Sequence, residues 1–242
     1  MTTLPKSAYL HTVDVVVLRF VSKKTAQGRH LKEDRIEVLL HRRDKEPFAN
    51  AWALPGLVIN GDTPDASIED AAKRLMDSPK VAMKAFYMEQ VGSEGNAVRD
   101  PRCWSSTTFY MAIVGSDVQP AEDQGFFALD DIIANRTPLP FDHNRLVALV
   151  ADRLYSKSLY SSLPLIFLGE NLTLTEAIDV TACILKRTVQ KSSMRSRLVT
   201  MIEEGILQET DEKKAMAVGR PQSIIKNTRP EEVYFFDRSF EK

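Results

Sequence analysis

Three arginines and three aromatic residues in the first half of the chain have the chemistry to hold a phosphorylated, ring-bearing ligand. Guanidinium groups pair bidentately with phosphate oxygens, and Arg42, Arg43 and Arg102 can supply them. Trp52, Trp104 and Phe141 offer flat faces on which a base or sugar can pack. Arg42 and Arg43 are adjacent, so on a strand at most one faces such a pocket. His143 closes the run LPFDH and is either a ligand contact or a helix-start histidine satisfied within the fold. His11, His30 and His41 show no metal-ligand spacing. Two cysteines, Cys103 and Cys183, are too few for a four-cysteine zinc site or a disulfide framework.

A second set lies near the other end. The run Lys186 to Met201 (KRTVQKSSMRSRLVTM) has five basic residues and no acidic one, although 32 basic against 33 acidic residues give the whole chain a charge of −1. Read as a helix from about Ser192 to Glu204, it buries Met194, Leu198, Met201 and Ile202. Ser193, Ser196, Arg197 and Thr200 then lie opposite, flanked by Ser192 and Arg195, with Lys191 at the first turn. Short hydroxyls allow close approach to a duplex, and arginines reach guanine edges or phosphates. Arg220, with Lys213 and Lys214, brings charge to a hairpin whose GRP at 219–221 suits a minor groove.

These residues need elements to hold them. At 242 residues and 43% hydrophobic, the chain is long enough for one large or two small domains, at roughly 150 residues each. Strands are expected over Val13–Phe20, Ile36–His41, Trp52–Ile59 (broken at Pro55-Gly56), Phe86–Val91 and Ser105–Val114. Helices are expected over Ser67–Asp77, with Ser67 as N-cap, and Asn144–Leu154. SKSLYSSLP, ending at Pro164, reads as a linker. Beyond it, Thr173 and Glu176 form a capping box for a helix to Lys186. Helix, helix and β-hairpin follow in the order of a winged helix-turn-helix. The expected fold is α+β, with domains at 1–155 and 164–242. No apolar run approaches the ~20 residues of a membrane span, and MTTLPKSAYLHT lacks a signal-peptide pattern, so a cytoplasmic protein is expected.

Ala53 to Val81 resembles a Nudix box, anchored by LPG at 54–56 and SIEDAAKR at 67–74. HRRDKEPFANAWALPG, RDPRCW at 99–104 and LPFDH at 139–143 resemble the corresponding segments of sugar-nucleotide and ADP-ribose-handling Nudix proteins. In that family glutamates hold a divalent metal against a diphosphate. Here the glutamate positions read Leu75, Ser78 and Pro79, or Arg74, Asp77 and Ser78 one residue earlier, so no hydrolase, no catalytic residue and no metal ligand is expected. Metal-dependent hydrolysis of ADP-ribose is the alternative reading.

The two halves together resemble the Nudix-related transcriptional regulator family, also on LTLTEAIDV at 172–180 and VGRPQ at 218–222. That resemblance implies a Nudix-like α/β/α sandwich followed by a winged helix. It implies a homodimeric repressor of NAD-metabolism genes on a palindromic operator in double-stranded DNA. ADP-ribose or a related nucleotide would be its effector, with no cofactor and no membrane partner. Arg42, Arg43, Trp52, Arg102, Trp104, Phe141 and His143 would meet the effector. Lys191, Ser192, Ser193, Arg195, Ser196, Arg197, Thr200 and Arg220 would meet DNA. QKSSMRSRL departs from the basic run found in family members, so their operator sequence does not transfer.

Overall fold

The structure, a computed structural model, describes residues 9–23, 33–60, 62, 64–215 and 220–240. Gly219 of the GRP tip, along with 216–218, lies outside the described residues.

The first unit is a mixed seven-stranded sheet. β1 (Leu10–Lys23) lies between β2 (Glu33–Arg42), to which it is antiparallel, and β6 (Ser105–Ile113), to which it is parallel. β3 (Trp52–Ala53) pairs with the end of β2, and β4 (Gly56–Ile59) with the start of β1. The expected break at Pro55 therefore passes the chain from one strand to another. β5 (Tyr87–Asn96) lines the far side of β6, and β7 (Gln124–Ala128) pairs with β2.

Alternation along β1 explains its nearly all-apolar sequence. Val13, Val15 and Val17 pack under α1 (Ile68–Asp77), with Ala71, Ala72, Leu75 and Met76. Val16, Leu18 and Phe20 point the other way, onto α3 (His143–Tyr160) and its Leu146, Val147, Val150 and Leu154. A strand covered on both faces has no polar side to show. A short α2 (Leu129–Ile133) completes the second layer.

The expected linker is not one. Tyr155 to Tyr160 continue α3, and α4 (Leu163–Ile166) follows with Pro164 in its first turn. Of the serines that make SKSLYSSLP look like a linker, Ser156 is exposed, while Ser158, Ser161 and Ser162 are buried. Ser158 Oγ donates to Leu154 O at 2.6 Å, and Ser161 Oγ to Lys157 O at 2.6 Å. Each hydroxyl is satisfied by the carbonyl four residues back, so a polar run stays helical.

The second unit contains α5 (Leu174–Leu185), α6 (Lys191–Glu203) and a three-stranded sheet of β8 (Asn171–Leu172), β9 (Leu207–Lys214) and β10 (Gln222–Asn227). The Thr173–Glu176 capping box opens α5 as expected. Met194, Leu198 and Met201 anchor α6. α5 also faces the first unit: Val180 and Ile184 share a core with Val38 and Leu146. Among the described residues, no helix is long and apolar enough to cross a membrane.

Candidate functional site

The first site lies where β1, β4, the 96–102 loop and the start of α3 meet. Asp14 falls on the α3 side of β1, yet it is a buried carboxylate. It accepts from Thr107 Oγ1 (2.7 Å) and Thr12 Oγ1 (3.1 Å) and stands 3.5 Å from Arg99. Arg99, also buried, grips Asp142 with Nε (3.0 Å) and Nη2 (3.1 Å). Gly56 packs against Asp14 so closely that a Cβ there would overlap the carboxylate. A buried charge is tolerable only when paired and hydrogen-bonded, and this network meets that condition.

Around it the candidate residues separate. Of the adjacent arginines, Arg43 carries its guanidinium 4.9 Å from the Phe141 ring and donates from Nε to Pro47 O (2.9 Å). Arg42, exposed, lies over Trp52 at 5.9 Å instead. Trp52 packs edge-on to Phe127, against the core. Arg102 fastens both sides of its fork to Asp100, at 2.7 and 3.0 Å. Burial opposes the charge on Asp100, but those bonds outweigh it and hold the carboxyl below its usual range. Burial, and then the nearby charge of Arg102, lower the pKa of Arg43. Trp104 turns elsewhere, half exposed, with its ring 5.6 Å from Tyr9.

His143 is buried, and its Nδ1 accepts from the backbone N–H of Leu54 at 3.0 Å. That bond gives the imidazole a partner within the fold, as the helix-start alternative expects: it ties α3 to the Leu54-Pro55-Gly56 loop, and burial lowers its pKa. His41 is buried too and is driven to about 4 by burial, then by the charge of Lys80.

The expected Nudix-box register is tested by α1. Ser67 caps it, accepting from Asp70 N at 3.0 Å. Leu75 and Met76 both point into the core, Asp77 is exposed, and Ser78 Oγ donates to Leu75 O. Arg74 is tied to Asp65 at 2.7 and 2.9 Å. Among the described residues, no three of His, Cys, Asp and Glu gather where they could hold a metal ion.

Sequence reading missed Arg99, Asp142 and Lys80. Asp14, a carboxylate within the apolar stretch of β1, is the available signal for Arg99. Nothing in the sequence marked Lys80.

The second site is the outer face of α6. Lys191, Ser192, Ser193, Arg195 and Ser196 are exposed, as is Arg220 on the hairpin. Thr200 is half-buried and bonds back to Ser196 O at 3.2 Å. Arg197 departs from the expected outward face. Its guanidinium lies 3.5 Å from the Phe240 ring centre and 4.2 Å from that of Phe236. Its Nη2 donates to Leu159 O (2.9 Å) and Arg238 O (2.7 Å). Burial pushes its pKa down to about 10. The cause is the C-terminal segment, which runs between α6 and the end of α3: Phe236 N donates to Tyr160 O and Phe240 N to Leu159 O, both at 2.8 Å.

A Nudix-type sandwich whose long helix leads directly into a winged helix-turn-helix defines a class of protein in which a small-molecule fold is joined to a DNA-reading module. The comparisons agree. The chain is 32% identical over 209 residues to the ADPR responsive transcriptional repressor NtrR of Acinetobacter baylyi, spanning 84% of this chain and 77% of that protein. It matches Shewanella oneidensis NrtR, solved with a 27mer DNA, at a TM-score of 0.79 and 30% identity, covering 95% of this chain and 99% of that one. A MutT/nudix family protein from Enterococcus faecalis matches at 0.65 and 25%, covering 93% and 89%. No protein-family model matches. The chain belongs to the NrtR family of Nudix-related transcriptional regulators.

Proposed function

We propose that this chain is a ligand-responsive transcriptional repressor of NAD-metabolism genes, working in the cytoplasm as a homodimer on a palindromic operator. Its effector is ADP-ribose or a related nucleotide, held near Arg43, Arg102 and Phe141. One observation carries the reading: the exposed, acid-free start of α6 stands on a winged helix that shares its core with the Nudix-like sandwich. The relative from Acinetobacter is named for its response to ADPR, and the Shewanella relative was solved on DNA.

Lys191, Ser192, Ser193, Arg195 and Ser196 serve as the groove-facing set, with Arg220 on the wing. Arg197 is left out of that set because the C-terminal segment occupies it. Two copies related by a two-fold axis read two half-sites a whole number of helical turns apart. The effector acts by binding more tightly to an arrangement of the dimer that does not fit the operator.

The residues do not fit a Nudix metal. In either register the positions that would carry its carboxylates hold at most one, Asp77, so hydrolysis is no part of the function. Electrophoretic shifts of DNA from upstream of the neighbouring genes test the reading. Specific binding that ADP-ribose releases is expected. Absent or ligand-insensitive binding at moderate salt contradicts it, as does release of AMP from ADP-ribose with Mg2+ or Mn2+ present.

A further inference from the structure

Lys80 follows α1 in a turn that is held from several sides. Val81 N and Ala82 N both bond Ser78 O, at 3.0 and 2.8 Å. From β7, Gln124 Nε2 donates to Pro79 O (2.9 Å) and Val81 O (3.2 Å), gripping the backbone on either side of the lysine. The ammonium turns back toward the sheet and donates to Gly56 O. Gly56 is itself packed against Asp14 and paired with it across β1 and β4, so this cation rests on a carbonyl held in the sheet.

An ammonium has three donors, and a carbonyl neutralises none of its charge. Among the described residues, no carboxylate stands within ion-pair distance of Lys80. The charged groups nearest to it are mixed. Arg43 and Lys45 oppose its charge, while Asp44 and Asp14 favour it; burial is the largest influence and lowers its pKa, with Arg43 next. Lys80, seated on Gly56 O, and Arg43, over the Phe141 ring that lies 5.2 Å from the Leu54-bound His143, are thus two like charges, both partly desolvated, tied to the Leu54–Gly56 loop from its two ends. Such a pair is stabilised when an anion enters between them.

We propose that Lys80 is a built-in cation for the phosphate chain of a nucleoside diphosphate, acting with Arg43 where a Nudix enzyme would use a carboxylate-held metal. This rests on the effector reading given above and makes it more specific. The anion meets a fixed ammonium with donors to spare and a guanidinium braced by Pro47 O and the Phe141 ring. Charge-assisted hydrogen bonds of this kind need no metal.

Calorimetric titration of the full chain tests it, with ADP-ribose and separately with inorganic pyrophosphate, each in EDTA and in Mg2+. ADP-ribose is expected to bind the native chain equally in both buffers. K80Q is expected to weaken binding by about tenfold or more, and K80R to restore most of it. Melting curves of both variants report whether the Gly56 contact matters only to folding. Native-like affinity in folded K80Q overturns the proposal, and so does native-chain binding that EDTA abolishes. That EDTA arm needs no variant, so it decides even if K80Q fails to fold. Pyrophosphate binding with the same K80Q loss, but no binding of ADP-ribose, upholds Lys80 as the phosphate cation and removes ADP-ribose as effector. No binding of either ligand removes both readings.

Discussion

Arg99 is the residue on which the first site turns. It is buried between two carboxylates, and those carboxylates belong to elements far apart in sequence, Asp14 on β1 and Asp142 at the entry to α3. Removing it leaves both without their counter-ion. Arg99→Ala is expected to cost roughly 3–5 kcal/mol in denaturant unfolding. A loss below about 1 kcal/mol would show that the network does not hold the loops together. His41 gives a pH signature. Its folded pKa of about 4 lies below the ordinary 6.5, so between those values the unfolded chain binds a proton that the folded chain does not. Stability is full above pH 6.5 and falls as pH drops toward 4, by on the order of 3 kcal/mol for this group. His143 acts in the same direction. A thermal melt series should show that slope, and His41→Phe should flatten part of it; an unchanged slope contradicts the assignment. Of Arg99, Asp14 and Asp142, only Asp14 carries a hint in the sequence, because a charge in an apolar strand must find partners. Its partners were invisible, since they arrive through tertiary contacts that no local pattern encodes. The same holds for His143: the motif placed it at a helix start, but only the fold shows Leu54 N–H beside it.

At the scale of elements, patterning located most strands and helices because their periodicity reflects burial. α1, α5 and α6 appear where their apolar stripes and caps put them. The end of α3 was misread because serines and a lysine look solvated. In place, Lys157 is buried, donates to Tyr87 Oη at 2.6 Å and pairs with Glu89 on β5. β7 was missed because QGFFA is short and carries no alternation. α6 yields a paired prediction. Arg195 is exposed, so Arg195→Ala should weaken operator binding and lower its salt slope by about 1 while leaving the melting temperature nearly unchanged. Arg197→Ala should do the reverse and lower the melting temperature first, since it empties a space between Phe236, Phe240 and the end of α3. Anisotropy titrations at several salt concentrations, with melts of the same samples, check both. A salt-slope change for Arg197→Ala equal to that for Arg195→Ala would place its charge on DNA after all.

The whole molecule is better described as two sheets around continuous packing than as two beads on a tether. α3 spans both units, α5 inserts Val180 and Ile184 into the sandwich core, and the C-terminal segment is hydrogen-bonded to residues 159–162. A change of pattern in the sequence suggests two units, and nothing in it shows that they share a core. Unfolding should therefore be one transition: tryptophan fluorescence, reporting the sandwich, should coincide with loss of helical signal over the whole chain. Separated midpoints would mean the units are independent. Under the proposed function, this shared packing offers a contiguous route from the sandwich to α6, through α5 and the C-terminal segment.

Coupling of this kind is reciprocal, which makes it measurable from either end. The decisive measurement is a closed cycle: the operator affinity of the full chain with and without saturating ADP-ribose, and its ADP-ribose affinity with and without operator. The expected result is a loss of operator affinity on adding ADP-ribose, matched by an equal fold-loss of ADP-ribose affinity on adding operator. Affinities that are unchanged in both directions, with each ligand bound, would contradict it.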